Sequence, residues 1–220
     1  AREASIGAGG IMPGRDLALA FSSLRSNDLI WPYVVNNYLK GQTPAAFDLL
    51  YWNADATNLP GPMYCQYLRT TYLENKLRVP GALTMLGEKV DLGAVKVPTY
   101  VLATREDHIV PWKTAYESGR LLGGDKRVVL GASGHIAGVI NPASKNRRSY
   151  WVNQSGVNES VANESGANEG PLPASADAWL AGAQEKPGSW WNDWSAWLAG
   201  FAGPRRAPRT SLGSKAHPPI

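Results

Sequence analysis

The 220-residue sequence predicts an α/β fold, made of the last strands of a parallel sheet preceded by a helical subdomain. Three observations carry this. Residues 1–78 space their apolar side chains at helical intervals and hold almost no β-prone run. A strand, a helix and a strand follow between Pro98 and Leu130. Side chains able to do chemistry then stand directly after each of those strands, where open parallel sheets gather their functional groups.

Taken in order, Leu17, Ala20, Phe21 and Leu24 form one helical stripe, and Ser26-Asn27-Asp28 suits the end of that helix and the cap of the next. A second helix is expected to bury Ile30, Val34, Val35, Tyr38 and Leu39 and to stop at Lys40-Gly41. Thr43-Pro44 pairs an N-cap with proline at the first helical position, ahead of a stripe of Phe47, Leu50 and Tyr51. After the turn-rich Asn58-Leu59-Pro60-Gly61-Pro62, a further helix places Tyr64, Tyr67, Leu68, Thr71 and Tyr72 on one side.

The pattern changes beyond Val79-Pro80-Gly81. Pro98 to Ala103 reads as a buried strand, Trp112 to Leu122 as a helix and Lys126 to Leu130 as another strand. A connection of that length implies a parallel pair joined by a right-handed crossover. Residues 152–170 repeat Asn, Glu, Ser and Gly with no apolar side chain larger than valine, which predicts a flexible loop. Asn153, Asn158 and Asn163 each open an N-x-S sequon, which the repeat itself explains. Ser175 caps a short helix from Ala176 to Ala183, and Trp190, Trp191, Trp194 and Trp197 suit the docking of a last helix onto the core, or else an apolar ligand. The expected organisation is a helical cap over 1–80, core strands over 81–151, the loop over 152–170, carboxyl-terminal helices over 171–202 and a disordered basic tail over 203–220.

Composition narrows the function classes. The chain is 44% hydrophobic and 18% charged, as soluble globular proteins are. No apolar run approaches the roughly 18 residues of a membrane span. Its net charge of +4 is matched by Arg205, Arg206, Arg209 and Lys215 of the acid-free tail, which leaves no basic face for nucleic acid. The single cysteine, Cys65, excludes an internal disulfide and suits a reducing cytoplasm, and one thiol with three histidines argues against a metal site. The opening residues hold neither an initiator Met nor the apolar core of a signal peptide, so a longer chain is expected around this one.

The first strand runs into Thr104-Arg105-Glu106-Asp107-His108, the second into Gly131-Ala132-Ser133-Gly134-His135. Asp107 by itself also suits a cap for the following helix or a partner for Arg105, and His135 by itself a plain loop residue. Together, 28 residues apart on consecutive strand ends, they match the acid and the histidine of an α/β-hydrolase triad, which follow the nucleophile in that order. The glycines around His135 are expected to leave its ring uncrowded. His108 offers a second base but suits a scaffold role. The nucleophile is not found in this chain. Residues 131–135 break G-x-S-x-G at the fifth position and stand after the acid, while Cys65 is flanked by Met63 and Tyr67 where glycines belong. The nucleophile is therefore expected before Ala1.

Four stretches, "NDLIWPYVVNNYLKGQTPAAFDLLYWNADATNLPGPMYCQYLR", "VPTYVLATREDHIVPWKTAY", "VLGASGHIAGVINP" and "GSWWNDWSAWLAG", closely resemble polyhydroxyalkanoate synthases, particularly those of class I. The resemblance covers most of residues 11–151 and 172–202. It implies the carboxyl-terminal part of an α/β-hydrolase fold with an inserted helical cap, Asp107 and His135 as two members of a Cys-His-Asp triad, and a cysteine supplied by an upstream G-x-C-x-G box. It implies an acyltransferase that polymerises (R)-3-hydroxyacyl-CoA with release of CoA, needing no cofactor because the CoA thioester is the substrate; an α/β-hydrolase esterase or depolymerase, or a non-catalytic truncated piece that associates with granules, are the alternatives. The growing polyester, the surface of a cytoplasmic polymer granule and a second subunit are the implied partners, with the cap around Asn27 to Leu68 shaping access and the dimer contact. This chain departs from the family in lacking the nucleophile box and in carrying the Asn/Glu/Ser repeat after "NPASKNRRSYW" in place of a short link.

Overall fold

The computed structural model describes residues 2–24, 26–44, 55–153, 172–208, 212–214 and 216–218. The chain divides into two compact units, Ala1–Val90 and Asp91–Ile220. The division falls ten residues beyond the expected end of the cap, because a hairpin belongs to the first unit.

The first unit opens with α1 (Arg2–Ile6), β1 (Ile11–Met12), α2 (Gly14–Leu24) and α3 (Ser26–Leu29), followed by a π-helical stretch Tyr33–Leu39. Ser26, Asn27 and Asp28, expected to end one helix and cap the next, instead lie within α3, whereas the stop at Gly41, whose φ of 64° needs a glycine, lies where the sequence places it. The expected burial of these helices is not met. Leu24 is 79% exposed and Tyr38 84%, and Phe21 and Leu39 are exposed too, so their stripes are helical in spacing but not covered within this unit. The helix expected from Thr43 with Phe47, Leu50 and Tyr51 lies outside the described residues. Further on come β2 (Leu59–Pro60), α4 (Gly61–Tyr67), a second π-helical stretch Leu68–Leu73, and the hairpin of β3 (Leu83–Met85) and β4 (Glu88–Val90). Strand content missing from the sequence reading is therefore present: β1 pairs antiparallel with β2, which buries Met12, and the Gly14 amide donates to Asn58 Oδ1 at 2.9 Å. Two-residue strands leave too little alternation to be read from sequence.

The second unit is a four-stranded sheet in the order β5 (Thr99–Thr104), β6 (Lys126–Gly131), β7 (Ser149–Val152) and β8 (Gln184–Pro187). β5 and β6 are parallel, joined through α5 (Trp112–Arg120); β7 and β8 add on antiparallel. Two further α-helices among the described residues are α6 (Ala176–Ala181), capped by Ser175 Oγ on the Ala178 amide, and α7 (Trp190–Ala199), capped by Ser189 Oγ. Two sequence boundaries are corrected. Residues 184–187, expected within helices, form a strand. Val152, expected to begin the loop, ends β7 and is buried, and Asn153 donates its side-chain amide to the Trp179 carbonyl. At 3% exposure Asn153 has no room for a glycan. The remainder of the repeat lies outside the described residues.

Side chains alternate across this sheet with the period of two that strands impose. Val128 and Leu130 face Tyr116, Ala176 and Trp179, with Val101, Ala103 and Trp151 beside them, so α5 and α6 cover that side. Val129, Tyr150 and Val152 face Trp190, with Tyr100, Leu102 and Trp194, so α7 covers the other. Helices on both faces bury the sheet, as its apolar run in β6 requires. A salt bridge pins α7: Arg127 of β6 donates from Nε and a terminal nitrogen to Asp193, and the Tyr100 hydroxyl donates to the same carboxylate at 3.0 Å. The exposures of 15% for Arg127 and 7% for Asp193 make this a buried, bidentate pair.

Candidate active site

The parallel register pairs Thr104 with Gly131 at the carboxyl ends of β5 and β6. Beyond those ends the backbone goes on pairing, with the Arg105 amide donating to the Gly131 carbonyl at 2.8 Å and the Glu106 amide to the Ser133 carbonyl at 3.0 Å. The two loops therefore leave the sheet side by side. Asp107, three residues past β5, meets His135, four past β6, and His135 Nδ1 lies 2.8 Å from Asp107 Oδ2. The two residues that the sequence assigned to chemistry are thus brought together.

The carboxylate is held from both sides. Asp107 Oδ1 accepts the amides of Ile109 at 2.8 Å and Val110 at 2.9 Å, an Asx-type turn that leads through Pro111 into α5. Burial pushes this carboxyl up, but the Val110 amide, the His135 ring and the Ile109 amide together outweigh it and hold Asp107 below the usual carboxylate range. Its side chain is 10% exposed, whereas that of His135 is 42% exposed. The geometry gives an ionised, shielded acid behind a reachable imidazole. With Nδ1 facing the carboxylate, Nε2 is the ring nitrogen left for a reacting group.

The loop around His135 differs in detail from the sequence expectation. Gly131 and Gly134 would accept a side chain, because a Cβ on either meets nothing closer than 3.6 Å. Ser133, not a glycine, carries the left-handed backbone, at φ 77°. The glycine the loop needs is Gly138, where a Cβ would stand 2.5 Å from Thr104 Cγ2 and 2.8 Å from the carbonyl oxygens of Ala132 and Gly134. The turn amides at 109 and 110 were also unassigned from sequence, although an aspartate shortly before proline is the usual signal for such a turn. His108 is exposed and lies outside the pair.

Cys65 stands in the middle of α4 in the first unit, half-buried. An open depression of about 450 Å³ beside it is lined by Glu3, Gly7, Ala8, Pro62, Gln66 and Arg69, with no histidine to activate the thiol among the described residues that line it. No group of three or more metal-ligating side chains occurs among the described residues, and no described helix is long and apolar enough to cross a membrane.

The alpha/beta hydrolase fold family matches residues 8–142, which include both strands, Asp107 and His135. The chain belongs to the α/β-hydrolase fold family. Among curated relatives, it is similar to the poly(3-hydroxyalkanoate) polymerase subunit PhaC of Cupriavidus necator, 56% identical over 97% of this chain and 34% of that protein. It is 43% identical to the subunit of the same name from Rhizobium meliloti over 96% of this chain and 32% of the relative. Poly(3-hydroxyalkanoate) polymerase 2 of Ectopseudomonas oleovorans is 41% identical over 96% of this chain and 35% of its own length. This α/β-hydrolase chain thus spans about a third of the length of the curated relatives it matches.

Proposed function

We propose that this chain provides the acid and the histidine of a poly(3-hydroxyalkanoate) polymerase, and that the nucleophile is a cysteine belonging to a part of the enzyme outside these 220 residues. One observation carries the reading: a 2.8 Å acid–histidine pair on consecutive strand ends, within a sequence 56% identical to a polymerase subunit. In this reading His135 Nε2 takes the cysteine proton, and the thiolate attacks the thioester carbonyl of (R)-3-hydroxyacyl-CoA. CoA leaves as its thiol on receiving a proton back from His135. The acyl group stays activated as a thioester on the enzyme, and His135 then accepts the proton of the 3-hydroxyl that attacks this thioester, so that an ester bond forms, the C–S bond breaks and the cysteine leaves as its thiolate beside the protonated His135. Both oxygens of Asp107 are already engaged, which supports an orienting role for the acid rather than direct contact with that hydroxyl.

The surroundings suit a polyester. Ile109, Val110 and Ile136, each within three residues of Asp107 or His135, are exposed apolar side chains. The uncovered faces of α2 and the following helices fit the proposed second subunit, and the granule surface fits a cytoplasmic enzyme whose product is insoluble. No cofactor enters this chemistry, and the chain alone is expected not to polymerise. The test is to supply the full-length enzyme with 3-hydroxybutyryl-CoA and to measure free CoA and insoluble polyester together. Polyester accumulating with CoA supports the polymerase; CoA and free 3-hydroxybutyrate without polyester would make it an esterase-type hydrolase.

A further inference from the structure

The loop that carries His135 has no strand or long helix of its own. It turns through short backbone bonds, Gly138 amide to Gly134 carbonyl at 2.8 Å and Ile140 amide to Ile136 carbonyl at 2.9 Å. Four of its carbonyls, those of Ala137, Gly138, Val139 and Asn141, accept from side chains later in the chain. The Arg148 guanidinium donates to the Ala137 carbonyl. Trp190 Nε1 donates to the Gly138 carbonyl and Trp191 Nε1 to the Val139 carbonyl, each at 3.1 Å. Ser189 Oγ donates to the Asn141 carbonyl. The two indoles stack with ring centroids 4.7 Å apart, so neither turns independently of the other.

From this, resting on the reading of His135 as the base, we propose that the start of α7 belongs to the catalytic apparatus. Trp190 and Trp191, with Ser189 and Arg148, are positioning residues that hold the His135 loop so that Nδ1 meets Asp107. They touch no reacting atom and act through the loop carbonyls. Packing of the indoles is a separate role, and substitutions at the exposed Trp191 and Arg148, which remove a donor at little cost in buried area, tell the two apart.

The ring nitrogen shifts of His135 give the readout, because they report which nitrogen carries the proton and the chain has only three histidines to distinguish. They are measured on the full chain at alkaline pH, with His135→Gln to assign the signal. The unaltered chain is expected to hold the Nδ1–H form alone, and Asp107→Asn to change it. Trp190→Phe/Trp191→Phe, which keeps aromatic rings and removes both donors, is expected to give averaged nitrogen shifts like those of the free side chain while the chain remains folded by circular dichroism. A folded double variant that keeps the Nδ1–H form overturns the proposal, even with a lowered unfolding midpoint. Should the double variant not fold, Trp191→Phe and Arg148→Gln, both at exposed positions, decide: an unchanged ring in both overturns it. A ring unaffected by Asp107→Asn refutes the acid–histidine pair itself, and the positioning role with it.

Discussion

Asp107 directs both carboxylate oxygens at fixed donors, and this determines what substitution there does. Asparagine keeps the size but offers only one oxygen, so either the turn amides or the His135 ring loses its acceptor. In the full-length enzyme, Asp107→Asn and His135→Ala are each expected to lower the rate of polymer formation by on the order of 100-fold or more, the usual share of a general base. Cys65→Ser, altering a thiol in mid-helix, is expected to retain most of the activity, and the three variants compared by CoA release and polymer mass check both statements. The same carboxylate affects stability. A folded-state pKa below the unfolded value of about 3.9 means that the ionised form favours the folded chain above that pH, and the benefit fades as pH falls through the lower folded value. Asp107→Asn should therefore flatten the acid limb, below about pH 4, of the unfolding free energy measured in urea. An acid limb as steep as before counts against the pairing.

Among the elements, the loop after β6 and helix α7 are the sensitive ones. Gly138→Ala forces a methyl against three atoms, two of them backbone oxygens that cannot swing aside. It is expected to displace the loop and depress activity as strongly as the loss of His135, although it touches neither member of the pair; polymer formation near the unaltered rate would refute this. Helix α7 is held by Asp193 as well as by its tryptophans. Asp193→Asn removes the carboxylate that accepts both donors of the mostly buried Arg127 guanidinium, which should cost about 3 kcal/mol of stability. Urea denaturation of the chain measures it, and a loss below about 1 kcal/mol would place the pair with ordinary surface salt bridges.

At the scale of the whole molecule, the chain inserts residues 154–170 between the end of β7 and Leu172. Their composition supplies no large apolar side chain for any core. Replacing Gln154–Gly170 by a glycine and serine segment of equal length is expected to leave solubility and the thermal unfolding midpoint nearly unchanged. A replacement extended back to Val152 and Asn153 should be damaging, because one is in the core and the other bonded to the Trp179 carbonyl. That contrast shows where local sequence stops being informative, since Val152 looks like part of the repeat until β7 is found pairing with β8. The exposed stripes of α2 and the following helix teach the same lesson in reverse: helical spacing fixes which side chains share a face, not whether anything in this unit covers it. The sequence by itself determined the parallel β5–β6 pair, the helix between them and the order of acid and histidine, because alternation, capping and spacing along one strand–helix–strand unit are local properties. Only the tertiary structure decided that β7 and β8 complete the sheet, that Gly138 is the glycine the loop requires, and that the indoles of α7 hold the carbonyls behind His135. Those depend on which distant backbone and side-chain groups come within hydrogen-bond reach once the chain has packed, and no local pattern encodes that.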